Sequence, residues 1–109
     1  ALATSGTGGQ KEQAARALWA LTVNADNKVA IAKAGGIAPL VALATSGTDG
    51  QKEEAAGALR NLAVNADNKV AIAKAGGIAP LVALATSGTD GQKEQAAGAL
   101  RSLAVNADN

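Results

Sequence analysis

Cysteine, histidine, methionine, phenylalanine and tyrosine are all absent from the 109 residues, and Trp19 is the single aromatic side chain. Without cysteine there is no disulfide framework, no zinc-finger spacing and no thiol nucleophile. Without histidine the commonest general base and transition-metal ligand is missing. Charge of one sign is also lacking: ten basic residues face nine acidic ones with no block of like charge, which argues against nucleic acid and anionic membrane as partners. The longest uninterrupted apolar stretch, Ile37–Ala44, is too short to span a bilayer, and no basic region leads into an apolar one at the N-terminus. A soluble, cytoplasmic protein is the expectation.

The remaining chemistry is thin. Gly6-Thr7-Gly8-Gly9-Gln10-Lys11 precedes a helical pattern as a phosphate loop would, but it lacks the P-loop spacing and the hydroxyl after lysine, and follows no strand. In the equivalent segments it reads Gly-Thr-Asp-Gly, which puts a carboxylate where an anion would sit. Glu53 and Glu54 are adjacent on a helix, so they point about 100° apart and cannot share a proton or a metal. Neither an enzyme nor a cofactor is expected.

What the chain does have is one unit written repeatedly at a period of 41 residues. Ala42–Asn68 returns as Ala83–Asn109 and, with more changes, as Ala1–Asn27; Lys28–Val41 returns letter for letter as Lys69–Val82. Such self-similarity marks a solenoid, whose units bury their apolar faces only by stacking. The expected shape is elongated, with a thin continuous core.

Each unit reads as three helices. Asn24 and Asp26 open a short first helix through Lys28–Ala34, stopped by Gly35-Gly36. Pro39 sits in the first turn of a second, which runs to about Ala44 and is broken by Thr45-Ser46-Gly47. Thr48 and Gln51 have capping-box spacing and open a longer third helix, Gln51 to about Val64; the box recurs at Thr7/Gln10 and Thr89/Gln92. Alternating strand patterns are absent. The boundaries are then 1–23 (a truncated unit: the end of a second helix plus a third), 24–64 and 65–105 (complete units), and 106–109 (the start of another).

At 100° per residue the third helix gathers Ala55, Ala56, Ala58, Leu59 and Leu62 on a stripe expected to face the stack, with Glu54, Gly57, Arg60 and Asn61 opposite, toward solvent. Over the 27 columns shared by three copies, only six differ: Gly8/Asp49/Asp90, Gln13/Glu54/Gln95, Arg16/Gly57/Gly98, Trp19/Arg60/Arg101, Ala20/Asn61/Ser102 and Thr22/Ala63/Ala104. Four of these fall on the solvent stripe. Variation on one helical face suggests a recognition surface.

Gly-Gly-Ile-Ala-Pro-Leu-Val opening the second helix and Glu-Ala-Ala-Gly-Ala-Leu-Arg-Asn-Leu-Ala in the third resemble the armadillo repeat, over the whole chain. The close identity of the copies is similar to a consensus or engineered sequence. The resemblance implies an all-α fold, a right-handed α-solenoid of stacked three-helix armadillo repeats. Its third helices would line a concave groove for an extended peptide or protein segment. It also implies an asparagine ladder and a tryptophan one turn earlier. Asn61 stands in the asparagine column, whose other members are Ala20 and Ser102; the tryptophan column holds Arg16, Gly57 and Gly98, and Trp19 lies three residues further on.

The candidate peptide-binding residues are therefore Asn61, Arg60, Arg101, Ser102, Glu54, Trp19 and Arg16. Arg60 and Arg101 favour acidic side chains in a partner. An alternative is self-association. One Lys28–Val41 segment is missing relative to three complete units, and neither end carries a specialised polar cap. Leu2, Leu18, Leu21, Leu100 and Leu103 would then join copies head to tail, or by helix exchange, into homo-oligomers.

Overall fold

The structure, a computed structural model, describes residues 8–105. Among them are seven α-helices and no strand: α1 (Gly8–Leu21), α2 (Ala25–Lys33), α3 (Ile37–Ser46), α4 (Asp49–Leu62), α5 (Ala66–Lys74), α6 (Ile78–Ser87) and α7 (Asp90–Ala104). Helices α2–α4 and α5–α7 form successive three-helix units, and α1 is the third helix of a preceding one. No single described helix is long and apolar enough to cross a membrane.

Local chemistry sets the boundaries. Asn24 Oδ1 accepts from the backbone N–H groups of Asp26 (2.8 Å) and Asn27 (3.2 Å), so α2 starts at Ala25, earlier than its apolar pattern suggests. Its end is fixed by Gly35 at φ +81°, a left-handed conformation that side chains disfavour. The chain then turns, and α2 meets α3 at 83°; α5 and α6 meet at 86°. Helix α3 outlasts the expected break because the Thr45 and Ser46 hydroxyls donate to the carbonyls of Val41 (2.7 Å) and Ala42 (3.3 Å) rather than competing for the helix's end. The break falls at Gly47. Helix α4 opens on a reciprocal box, Gln51 N–H to Thr48 Oγ1 (3.2 Å) and Thr48 N–H to Gln51 Oε1 (3.0 Å), and α7 repeats it with Thr89 and Gln92. Thr7, the cap of the first box, lies outside the described residues.

The third helices α1, α4 and α7 stack side by side and make the dominant contacts between units, while α3 and α6 brace them from the other side. Alanine faces reveal the direction of stacking. Ala15 and Ala56 are fully buried but their counterpart Ala97 is exposed, so this column faces the following unit. Ala58 and Ala99 are fully buried but Ala17 is exposed, so that column faces the preceding one. Helix α4 has neighbours on both sides and buries Ala55, Ala56, Ala58, Leu59 and Leu62 completely. Small side chains let helix axes approach closely, and the larger Leu40, Leu59, Leu62, Ile72 and Leu81 fill the space within and between units.

Two expectations are corrected. The chain is only moderately elongated: its radius of gyration is 12.2 Å and its extents are 40 × 30 × 21 Å. A globular domain of about this length has a radius near 13 Å, and so few units make only a short stack. Nor do Glu54, Gly57, Arg60 and Asn61 all face solvent. Glu54 and Gly57 are buried, and Arg60 and Asn61 are half-buried. The helical-wheel reading treats α4 as a helix with one neighbour, whereas α1 and α7 flank it and cover much of its nominal outer stripe.

Candidate functional site

The differing columns meet one another across the seams between third helices. Arg16–Glu54, Trp19–Gly57 and Arg60–Gly98 share an offset of 38 residues, three short of the sequence period, so these side chains reach one helical turn back on the next unit. Arg16 Nη2 donates to Glu54 Oε1 at 3.2 Å and lies 3.6 Å from Glu12 Oε2. The Trp19 indole lies flat over Gly57: a Cβ there would stand 2.6 Å from Cδ2 and Cζ2 of the ring. Asn61 Nδ2 donates to Thr22 Oγ1 at 3.1 Å, and that hydroxyl donates to Trp19 O at 2.5 Å. Three of these contacts, Arg16–Glu54, Trp19–Gly57 and Thr22–Asn61, join two differing columns each.

The second seam uses the same geometry with other chemistry. Arg60 lies over Gly98, where a Cβ would stand 2.6 Å from Arg60 Cδ, and its Nη1 donates to Gln95 Oε1 at 3.3 Å. Gln92 Nε2 donates to the carbonyl of Asp49 at 3.0 Å. The pattern groups the candidate residues as one recognition face; the structure places five of the seven, Arg16, Trp19, Glu54, Arg60 and Asn61, in the joints between units.

Glu54 is the most perturbed group. It is 7% exposed, Oε1 takes the Arg16 bond, and Oε2 is buried with no hydrogen-bond partner among the described residues. Burial pushes its carboxyl above the ordinary 4.5, and the Arg16 guanidinium opposes this only in part. Arg16 is largely exposed, so its charge is screened by water.

What remains open on this face is smaller than the sequence suggests. Arg60 and Asn61 are half-buried, Ser102 is partly exposed, and Arg101 is exposed. The Arg101 side chain makes no ion pair or hydrogen bond among the described residues. Asn61 keeps its Oδ1 and one amide hydrogen. Trp19 shows only part of its ring because the rest packs on α4. A cleft of about 280 Å³ sits beside Arg101 and Ser102, walled by Val64, Lys69 and Val105.

The larger cleft, about 640 Å³, runs along the seam between α3 and α6 and past the starts of α4 and α7. It holds none of the candidate peptide-binding residues, and its walls are mostly small side chains such as Ala44, Ala79 and Ala83. Of the leucines expected to mediate self-association, Leu2 lies outside the described residues. Leu18, Leu100 and Leu103 are half-buried against the core, and Leu21 is exposed at 48%. The sequence reading missed Thr22, Gln95 and the two capped glycines as partners. Their signal was present in the three-residue spacing of the differing columns.

Residues 24–64 and 65–105, most of the chain, each match the family model described as Armadillo/beta-catenin-like repeat. The chain belongs to the armadillo repeat family. Two crystal structures of engineered proteins resemble it closely, each at 38% identity and a TM-score of 0.91 over 98% of this armadillo chain. It spans 44% of one and 26% of the other. A designed armadillo repeat protein in complex with the peptide (KR)4 shares the fold at 23% identity, with a TM-score of 0.85 over 93% of this chain and 43% of that one. This armadillo chain thus spans less than half the length of the solved structures it matches. No curated protein matches it.

Proposed function

We propose that this chain is a non-enzymatic scaffold whose third-helix face binds an extended peptide or protein segment, with acidic side chains meeting Arg60 and Arg101. One observation carries the reading. Consecutive third helices offer a cation followed by a polar group at the same register, Arg60-Asn61 and then Arg101-Ser102, with the Arg101 guanidinium unpaired among the described residues. An amide that keeps both a donor and an acceptor, as Asn61 does, can satisfy a peptide unit.

Charge argues for a partner unlike the basic (KR)4 held by the designed neighbour. Arg16 is spent on Glu12 and Glu54, and Glu54 is buried, which leaves Arg60 and Arg101 as the cations of the third-helix face on α4 and α7. Packed helices lie about 10 Å apart, and an extended chain advances about 3.3 Å per residue. A ligand with a carboxylate at about every third residue would therefore match Arg60 and Arg101.

The test is fluorescence anisotropy with labelled peptides carrying glutamate at every third position, with (KR)4 as the charge-reversed control. Trp19 emission supplies an independent readout, since it is the only aromatic residue. Binding of the acidic peptide should fall about tenfold or more for Arg60→Ala combined with Arg101→Ala, in line with about 1.5–3 kcal/mol for hydrogen bonds to charged groups. Affinity unchanged by that pair and by Asn61→Ala would remove the face from consideration.

A further inference from the structure

Glu54 is the one acid in its column; the other two copies carry glutamine there, Gln13 and Gln95. The two seams therefore close on different acceptors at the same place. In each, an arginine of the preceding third helix reaches this column: Arg16 Nη2 donates to Glu54 Oε1 at 3.2 Å, and Arg60 Nη1 donates to Gln95 Oε1 at 3.3 Å. Only one oxygen is used. The amide of Gln95 supplies it without a charge, so a carboxylate is not needed to hold a seam together.

What Glu54 adds is an anion the seam does not use. Its second oxygen, Oε2, is shut off from solvent and accepts no hydrogen bond among the described residues, and a buried charged acceptor left unsatisfied is costly. Its surroundings do not compensate. From α1 it faces the Arg16 guanidinium, which also lies 3.6 Å from Glu12, and Glu12 itself; from α4 it faces Glu53. Helix α3 has no charged residue, and α7 meets α4 through Gln92, Gln95 and glycine. Helices α2 and α5 touch α4 sparsely and bring no charge that acts on Glu54 among the described residues. Burial raises the carboxyl above the ordinary 4.5, Arg16 works against that, and Glu12 and Glu53 add to it. A proton on the carboxyl leaves Oε1 able to accept from Arg16, as Gln95 accepts from Arg60.

We propose that Glu54 makes the α1–α4 seam a proton-dependent joint, tight when its carboxyl is neutral and loosened as it ionises, while the α4–α7 seam, with Gln95 in its place, is indifferent to pH. The stabilisation is complete below 4.5 and is lost as pH rises through the higher value that Glu54 has in the closed seam. Over that interval each pH unit raises the opening of the seam by up to about tenfold, and above it opening no longer changes. Arg16, Trp19 and Asn61 all lie in this joint, so the proton acts on the α1–α4 part of the third-helix face, whatever that face binds.

Trp19, the single aromatic residue, packs on Gly57 inside the seam and reports its opening, whereas circular dichroism reports the helices together. Urea unfolding followed by both signals, at about pH 5 and about pH 7, tests the joint. At about pH 7 the Trp19 emission should change at lower urea than the circular dichroism, and at about pH 5 the two midpoints should draw together. Glu54→Gln installs the residue that the other two copies already carry, and it should leave the separation of midpoints the same at both pH values. Glu12→Gln and Glu53→Gln should keep the change seen in the parent. A separation in the parent that is constant with pH or wider in acid overturns the inference, as does one that still changes with pH in Glu54→Gln. Loss of the change in Glu12→Gln or Glu53→Gln overturns it too, because the titrating proton would then belong to that residue.

Discussion

Gly57→Ala isolates the seam between α1 and α4, because its effect should change sign with the residue at position 19. In a helix interior, alanine is favoured over glycine by about 1 kcal/mol. At Gly57 the new methyl would stand 2.6 Å from Cδ2 and Cζ2 of the Trp19 ring, against an ordinary carbon–carbon separation of about 3.5–4.0 Å. The ring-fusion atoms of an indole cannot swing aside alone; the whole side chain must lift off α4. Such overpacking costs about 1–3 kcal/mol, so in the parent chain the clash cancels the propensity gain and the net change is about 0–2 kcal/mol of destabilisation. In a Trp19→Ala background the space is empty and Gly57→Ala should stabilise by about 0.5–1 kcal/mol.

The coupling energy is then about 1–3 kcal/mol, well above the scatter of additive pairs. Urea denaturation followed by circular dichroism on the four chains of the cycle measures it, with unchanged slopes serving as the check that the transition stays comparable. Equal stabilisation by Gly57→Ala in both backgrounds would refute the packing of Trp19 on Gly57. Gly98→Ala provides the contrast, since it meets the stem of Arg60, whose several rotatable bonds can yield. Its cost should be smaller than that of Gly57→Ala, measured in the same way.

Three further outcomes follow from other parts of the fold. Glu54→Gln should raise stability at neutral pH: the folded carboxyl titrates above its ordinary 4.5, so protonation favours the fold below that value and the advantage fades as pH rises through the folded pKa. Comparing melts of the two chains from pH 7 down to pH 4 checks it, and the gap should close toward acid. Gly35→Ala should cost about 1–2 kcal/mol in the same denaturation assay, although space around it is open, because φ is +81° there. Leu59→Ala, in the helix flanked on both sides, should cost about 2–5 kcal/mol, and hydrogen exchange would show α1 and α7 losing protection together.

Helix positions were legible because their determinants are local. Asn24, Gly35, Pro39 and the Thr48/Gln51 and Thr89/Gln92 boxes act within a few residues of themselves, and a reader of the chain meets them in order. Their boundaries shifted where a side chain had two choices, as at Thr45 and Ser46, whose hydroxyls joined the helix rather than ending it. The candidate site was legible only in part. The six differing columns read as one exposed face because a wheel drawn for α4 alone cannot know that α1 and α7 flank it.

By itself the sequence determined the period, the three-helix unit, the caps and the alanine-leucine stripe, since each follows from spacing along one chain. Only the tertiary structure decided the register of 38 between units of 41, and with it which differing residues meet. A helix's own periodicity says which residues share a face. How far the next helix slides along that face depends on where Trp19 and Arg60 find glycine to lie against, and that contact exists only between units.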